Sequence, residues 1–156
     1  MGVLRFLRLI LILEIGSGST RIALAAERLC TLKDEEAASD DLTRLSTQSL
    51  NSLSLWRSLH ESFQRFAKCD DGFIAEGYSN VVTKGLAQNW STVAKLERIV
   101  RRDAKFKAFV LTHIDATADV TDLMAVRKSA TSNCKHCSLS LCRELAQRAS
   151  AALGNP

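Results

Sequence analysis

The nine residues from Cys134 to Cys142 carry the densest set of reactive side chains in this 156-residue chain. The stretch C-K-H-C-S-L-S-L-C contains three of the five cysteines and one of the three histidines. Thiolates and imidazoles are zinc ligands, and two thiols can be oxidised to a disulfide. The segment could therefore hold a metal, perform redox chemistry or fasten two parts of the fold together.

A metal site in this segment would use Cys134, His136, Cys137 and Cys142 as ligands. Structural zinc usually takes two well-spaced pairs of ligands, and only Cys134-x-x-Cys137 has the spacing of such a pair. The two remaining cysteines are isolated in the sequence. We therefore expect no metal and no other cofactor, and we keep the four-ligand site as the alternative.

Two other known uses of a C-x-x-C motif require a context that this chain lacks. A thioredoxin-type redox motif requires a βαβ pattern, and no window alternates with period two over enough residues to make a strand. Covalent haem attachment requires a histidine directly after the second cysteine, where this chain has Ser138. Neither use is expected here.

The disulfide candidates are Cys69, Cys134, Cys137 and Cys142. A bond between Cys134 and Cys142 would clip a loop onto the last helix, and it is the favoured pairing. Cys69, at a junction of two helices, is the main competitor for either partner. Because five cysteines cannot all pair within one chain, one must stay free or pair between molecules, and we expect that one to be Cys30.

Two charged groups are candidates for other roles. Asp70 and Asp71 precede a helical pattern, so they are expected to cap a helix or to contact a partner. A basic stretch could contact an acidic partner or a phosphate backbone, although such stretches are more often solvated helix faces. Its residues are Arg98, Arg101, Arg102 and Lys105.

No catalytic motif is visible in the chain. The patterns G-x-S-x-G and H-E-x-x-H and a glycine-rich phosphate loop are all missing. His60 and Glu61 are adjacent in sequence, which places them on different sides of a helix. Enzymatic activity is therefore not expected.

Apolar residues recur at helical spacing from residue 42 onward, and the single proline is Pro156. These features predict an all-α protein, a compact bundle of about five or six short helices. Gly77 and Gly85 lie within one of the apolar faces, where glycine costs about 1 kcal/mol relative to alanine. We therefore expect another helix to approach closely at both glycines.

The N-terminus has features of a signal peptide. Arg5 and Arg8 precede a short apolar run, residues 9–13, and A-L-A at 23–25 has the small-x-small form of a cleavage site. Glu14 and Arg21 depart from this pattern. The predicted organisation is a signal peptide over 1–26, a flexible mature N-terminus over 27–39 and a single helical domain over 40–154.

A periplasmic or secreted location follows from this segment, with a cytoplasmic location as the alternative. A stable membrane anchor is not expected, because a span needs about 18 uninterrupted apolar residues. The chain has 21 basic and 17 acidic residues, net +4, and removal of residues 1–26 would leave 18 and 16, net +2. Such a small charge does not predict a nucleic-acid partner.

The stretch F-A-K-C-D-D-G-F-I-A-E-G-Y-S, with the helical body and late cysteines, resembles a group of small exported bacterial proteins of unassigned activity. In plan the chain is also similar to the helical periplasmic immunity proteins that neutralise type VI secretion amidases. The resemblance covers about residues 56–150. It implies a stable helical binder in the periplasm and assigns no binding residue.

The sequence therefore predicts an exported, disulfide-stabilised helical protein that binds another protein, such as a toxin or an envelope enzyme, as an inhibitor or immunity factor. The alternative is a cytosolic helical module that binds metal through the C-K-H-C segment or nucleic acid through the basic helix. The partner, the disulfide connectivity and the oligomeric state stay open at this point.

Overall fold

The structure, a computed structural model, describes residues 29–47, 54–135 and 137–154. These ranges contain seven α-helices, two 3₁₀ turns and no β-strand, which confirms the all-α prediction. The helices are α1 (Leu32–Thr47), α2 (Leu55–Phe66), α3 (Gly72–Gln88), α4 (Val93–Val100), α5 (Ala104–Thr112), α6 (Val120–Ser132) and α7 (Leu139–Ala152). The predicted signal peptide and His136 lie outside the described residues.

Helix α1 begins at Leu32, within the stretch 27–39 that was predicted to be flexible. Thr31 and Asp34 form a reciprocal cap: the Thr31 hydroxyl and N–H donate to Asp34 Oδ2 at 2.7 and 3.1 Å, and the Asp34 N–H donates to Thr31 Oγ1 at 3.2 Å. Lys68 Nζ lies 2.6 Å from the same carboxylate oxygen. The cap and this ion pair fix the start of the helix ahead of residue 40.

Helix α3 lies at the centre of the bundle and packs against both α1 and α6. Helix α2 packs against α1 and α4, while α7 packs against α5 and α6. The buried side chains form one continuous core. Its largest fully buried members are Trp56, Tyr78, Phe106, Leu45, Leu55, Leu59, Ile74, Leu86, Leu96, Leu123 and Leu145.

The close helix approach predicted at the two glycines is confirmed. A methyl group on Gly77 would lie 2.8 Å from Leu42 Cδ1 of α1. One on Gly85 would lie 2.8 Å from Leu55 Cδ2 and 3.1 Å from the Trp56 ring of α2. Both glycines therefore allow neighbouring helices to approach α3 more closely than an alanine would.

Short polar side chains begin the later helices. Asp103 accepts the Phe106 N–H at 2.9 Å and caps α5, while Asp119 accepts the Thr121 N–H at 2.8 Å and caps α6. Ser138 occupies the same position at the start of α7. Among the described residues, none of the helices is long and apolar enough to cross a bilayer.

Candidate functional site

Three of the predicted site cysteines meet where α6 passes into α7. Cys134 and Cys137 lie in the connecting turn, and Cys142 lies in the first turns of α7, where only 2% of it is exposed. The three sulfur atoms all lie within 4.8 Å of one another, and the Cys134 and Cys137 sulfurs are 3.9 Å apart. We call these three residues the cysteine cluster.

The sulfur of Cys142 lies at disulfide-bonding distance from both other sulfurs of the cysteine cluster. Its Cα lies 6.1 Å from that of Cys134 and 6.5 Å from that of Cys137, and both separations suit a disulfide. Because one sulfur forms only one disulfide bond, the two pairings are alternatives. The predicted Cys134–Cys142 bond is one of them, and either pairing leaves one cysteine of the cluster as a thiol.

The second disulfide joins Cys30 to Cys69, with a Cα separation of 5.0 Å. The prediction that Cys30 stays free is therefore wrong, and Cys69 does not compete for the cysteine cluster. The physical reason is the cap at Thr31, which orders the chain ahead of α1 and holds Cys30 beside the 3₁₀ turn Ala67–Cys69. The odd cysteine consequently belongs to the cluster near the C-terminus.

In its fully reduced form the cysteine cluster offers a donor set that suits zinc. Sulfur ligands about 2.3 Å from a tetrahedral zinc ion lie about 3.8 Å apart, close to the 3.9 Å between Cys134 and Cys137. Three thiolates leave a fourth position for another ligand. His136, the predicted fourth ligand, lies outside the described residues.

Asp70 and Asp71 have different partners. Asp71 is the N-cap of α3 and accepts the Gly72 N–H at 2.7 Å. Asp70 instead accepts a hydrogen bond from Nε2 of His113, 2.9 Å away, and His113 Nδ1 lies 2.8 Å from the Phe109 carbonyl oxygen. His113 is buried, and its two ring nitrogens face the Phe109 carbonyl and the Asp70 carboxylate.

His113 was not singled out from the sequence, although a signal for its burial was present. It follows Phe109 by four residues and so continues the buried face of α5 beyond the last helical turn. Its partner Asp70 comes from the start of α3, so the contact joins two distant parts of the chain. This histidine–carboxylate contact lies next to the Cys30–Cys69 disulfide, because Asp70 directly follows Cys69.

Further polar groups lie in the core around Tyr78. The hydroxyls of Tyr78 and Ser62 are 3.0 Å apart, and both residues are fully buried. Burial raises the pKa of Tyr78 above its usual range. The Ser62 and Tyr78 hydroxyls thus pair with each other inside the core.

The buried carboxylate of Asp41 lies next to this Ser–Tyr pair. Asp41 lies 2.5 Å from the Arg44 guanidinium and 3.1 Å from that of Arg65. Burial acts to raise the pKa of Asp41, but the hydrogen bond from Arg44 and the charge of Arg65 outweigh it and lower the pKa. The carboxylate is therefore ionised in its pocket and joins α1 to α2.

The predicted basic patch lies at the junction of α4 and α5. Arg98, Arg101, Arg102 and Lys105 are all exposed there. Asp103, in the middle of the patch, lies 2.9 Å from Nε2 of His60, and the hydrogen bond from His60 lowers the pKa of Asp103. Asp103 is 43 residues from His60, so this contact was not predicted from the sequence, in which Glu61 is the acidic neighbour of His60.

A shallow cleft of about 320 Å³ lies between this patch and the start of α7. Its lining includes Glu97, Arg101 and Lys107. Glu97 accepts the Ser138 N–H at 3.1 Å, and Lys107 Nζ lies 2.7 Å from Glu144. The charge of Lys107 is therefore balanced by Glu144, and Glu97 adds a negative charge to the lining, which does not favour an anion-binding site.

Comparison of the chain with protein-family models, with curated proteins and with solved structures finds no match. By its fold and its cysteines, the protein is an all-α bundle with disulfides.

Proposed function

We propose that the chain is an exported, disulfide-stabilised helical protein that acts by binding another protein, as an inhibitor or immunity factor. The Cys30–Cys69 disulfide carries this proposal. Disulfides form and persist in oxidising compartments and are rare in the cytosol. The bond lies directly after the predicted signal peptide, residues 1–26, and this supports a periplasmic or secreted location.

Rigidity supports a binding role. The disulfide joins residues 39 positions apart and attaches the start of α1 to the turn before α3. A partner that binds a preorganised surface avoids the entropy cost of ordering it. The proposed role requires no catalytic residues. The bundle acts as a rigid scaffold that presents a binding surface.

The proposed binding surface lies where α3 and α6 begin. Three large apolar side chains in these helix starts are more than half exposed, Phe73 by 56%, Val120 by 60% and Met124 by 52%, as Leu29, Leu32 and Leu139 are elsewhere in the described residues. The Ser79 hydroxyl donates to Asp115 Oδ2 at 2.8 Å, which holds the segment before α6 against α3. Exposed aromatic residues and methionine are enriched at interfaces.

Carboxylates accompany these apolar side chains. Asp71 and Glu76 are exposed in the first turns of α3, and Asp119 is exposed at the cap of α6. A complementary partner surface would combine apolar side chains with lysine or arginine. The proposed partner is therefore a protein with such a surface, in the class of toxins and envelope enzymes.

Site-specific photo-crosslinking in the native host tests this surface. A photoreactive amino acid replaces Phe73, Val120 or Met124 in three test variants and Arg102, in the basic patch, in a control. We expect a discrete protein adduct from position 124 and none from position 102. Absence of an adduct from positions 73, 120 and 124, with the mature protein present, would contradict the proposal.

The second candidate function is metal binding by a cytosolic module. The observation that favours it is the mutual proximity, within 4.8 Å, of the sulfurs of Cys134, Cys137 and Cys142. Elemental analysis of protein purified under reducing conditions tests it. This candidate requires close to one zinc ion per chain, and a negligible zinc content would remove it.

A further inference from the structure

We propose that Cys134, Cys137 and Cys142 form a thiol–disulfide exchange site, in which Cys142 supplies the sulfur shared by two alternative disulfides. The remaining cysteine of the cluster is then a thiol that can attack the disulfide beside it. This activity is additional to the proposed binding of a protein partner and does not depend on it.

Geometry supports two alternative disulfides. Cys142 is buried in α7, while Cys134 and Cys137 are both partly exposed in the turn that precedes it. Their Cα separations from Cys142, 6.1 and 6.5 Å, both lie in the range of protein disulfides. Both partners are therefore within reach of Cys142 with α6 and α7 as the structure has them.

The exchange step is balanced without any external oxidant. The thiolate of Cys137 attacks Sγ of Cys142 in the Cys134–Cys142 disulfide. The Cys137–Cys142 bond forms, the Cys134–Cys142 bond breaks, and Cys134 leaves as a thiolate. The proton that Cys137 gave to solvent is replaced by one taken up at Cys134, so no sulfur is oxidised or reduced in net terms.

Only the first disulfide of the cluster requires an oxidant. Three thiols become one thiol and one disulfide by the loss of two electrons and two protons. A small disulfide such as oxidised glutathione accepts both electrons and both protons and becomes two thiols. An oxidising compartment supplies acceptors of this class.

Cys137 lies at the start of a helix, beside partial positive charge. Cys137 directly precedes Ser138, the N-cap of the 14-residue helix α7, where the helix dipole places partial positive charge. Lys135 is exposed in the same turn. The Glu97 carboxylate, which accepts the Ser138 N–H, offsets part of this positive charge.

The Cys30–Cys69 disulfide serves as an internal reference. No third cysteine of the described chain lies near it, since the other three cysteines all belong to the cysteine cluster. A sample in which this bond stays intact while the pairing in the cluster changes would show that exchange is local. General disulfide scrambling would change both.

Peptide mapping tests the proposal directly, because Lys135 separates the two alternative partners. Oxidised protein is treated with N-ethylmaleimide to block thiols and is then cleaved with trypsin. The Cys134–Cys142 form links peptide 129–135 to peptide 136–143, with the label on Cys137. The Cys137–Cys142 form closes a ring within 136–143, with the label on Cys134.

We expect both forms in the wild-type protein. Either form, isolated in acid and returned to neutral pH, should relax to the same mixture, while the Cys30–Cys69 bond stays intact. A single form that persists unchanged at neutral pH, or near-stoichiometric zinc with three labelled thiols in the native protein, would overturn the proposal.

Two single variants provide matched controls. Cys134→Ser leaves only the Cys137–Cys142 disulfide, and Cys137→Ser leaves only the Cys134–Cys142 disulfide. Each should fold, contain no thiol reactive toward N-ethylmaleimide and show no exchange. If one of them cannot form its disulfide under oxidised glutathione, the corresponding pairing is not accessible and the exchange proposal fails.

Discussion

His113 illustrates at the residue scale how a buried polar side chain can be fully satisfied. Its two ring nitrogens face the Phe109 carbonyl and the Asp70 carboxylate, at 2.8 and 2.9 Å. We expect His113→Gln to lower the free energy of unfolding by about 1–3 kcal/mol, because it disrupts a buried charge-assisted contact. Urea denaturation measures this loss.

The variant Asp70→Asn and the double variant His113→Gln/Asp70→Asn complete a double-mutant cycle for this pair. Contacting residues usually show coupling of about 0.5–3 kcal/mol. If the effects of His113→Gln and Asp70→Asn simply add, the pair is not coupled and the predicted role of the contact is wrong.

Asp34 gives a prediction about pH. Hydrogen bonds from Lys68 and Thr31 lower the pKa of Asp34 from 3.8 to about 2. Since its pKa in the folded protein is below its pKa in the unfolded chain, its contribution to stability is present above about pH 4. That contribution is lost as the pH falls through about 2.

An NMR titration of the Asp34 carboxyl carbon tests this value. We expect a midpoint near 2 in the wild type and a higher midpoint in Lys68→Met, which removes the first of the hydrogen bonds. A wild-type midpoint at the ordinary value of 3.8 would show that Lys68 and Thr31 do not hold the carboxylate.

At the level of the helices, alanine substitutions at the two glycines of α3 distinguish the effect of helix propensity on stability from the effect of packing. Gly85 is buried against Leu55 and the rigid Trp56 ring, whereas the group nearest to Gly77 is the flexible end of Leu42. Alanine gains about 1 kcal/mol of helix propensity at either position. Overpacking a core costs about 1–3 kcal/mol.

We therefore expect Gly85→Ala to destabilise the protein by about 1 kcal/mol and Gly77→Ala to have an effect near zero. Thermal and urea denaturation of the two variants measure the difference. A more stable Gly85→Ala variant would mean that α2 and α3 are not as closely packed as the structure has them.

Most of the elements could be predicted from the sequence because their signals are local. Asp103, Asp119 and Ser138 begin helices where caps and apolar spacing coincide. The start of α1 was missed, since its stability depends on Lys68 and on a disulfide to Cys69, both distant in sequence.

At the scale of the whole molecule, the Cys30–Cys69 disulfide constrains far more chain than the cysteine cluster does. Its cysteines are 39 residues apart, compared with 8 for Cys134 and Cys142. By loop entropy the long closure contributes about 4 kcal/mol and the short one about 2.5 kcal/mol.

Guanidinium denaturation of two variants tests this ranking. The variant Cys30→Ser/Cys69→Ser should lose about 1.5 kcal/mol more stability than the one with serine at all three cluster positions. If the order is reversed, the N-terminal disulfide is not the main covalent constraint on the fold.

The candidate site could be predicted only in part from the sequence. The clustering of Cys134, Cys137 and Cys142 followed from their proximity in sequence. The partner of Cys30 and the pairing of His113 with Asp70 did not, because each contact joins residues about 40 positions apart that only the tertiary fold brings together. Local spacing carries no information about such contacts.

Whether the mature protein is exported and disulfide-bonded can be determined from its intact mass. Protein expressed from its own start codon is alkylated and weighed, with and without prior reduction. We expect the mass to show that about the first 26 residues have been removed. We also expect one alkylated cysteine before reduction and five after it. A full-length chain with all five cysteines alkylated without reduction would contradict both expectations.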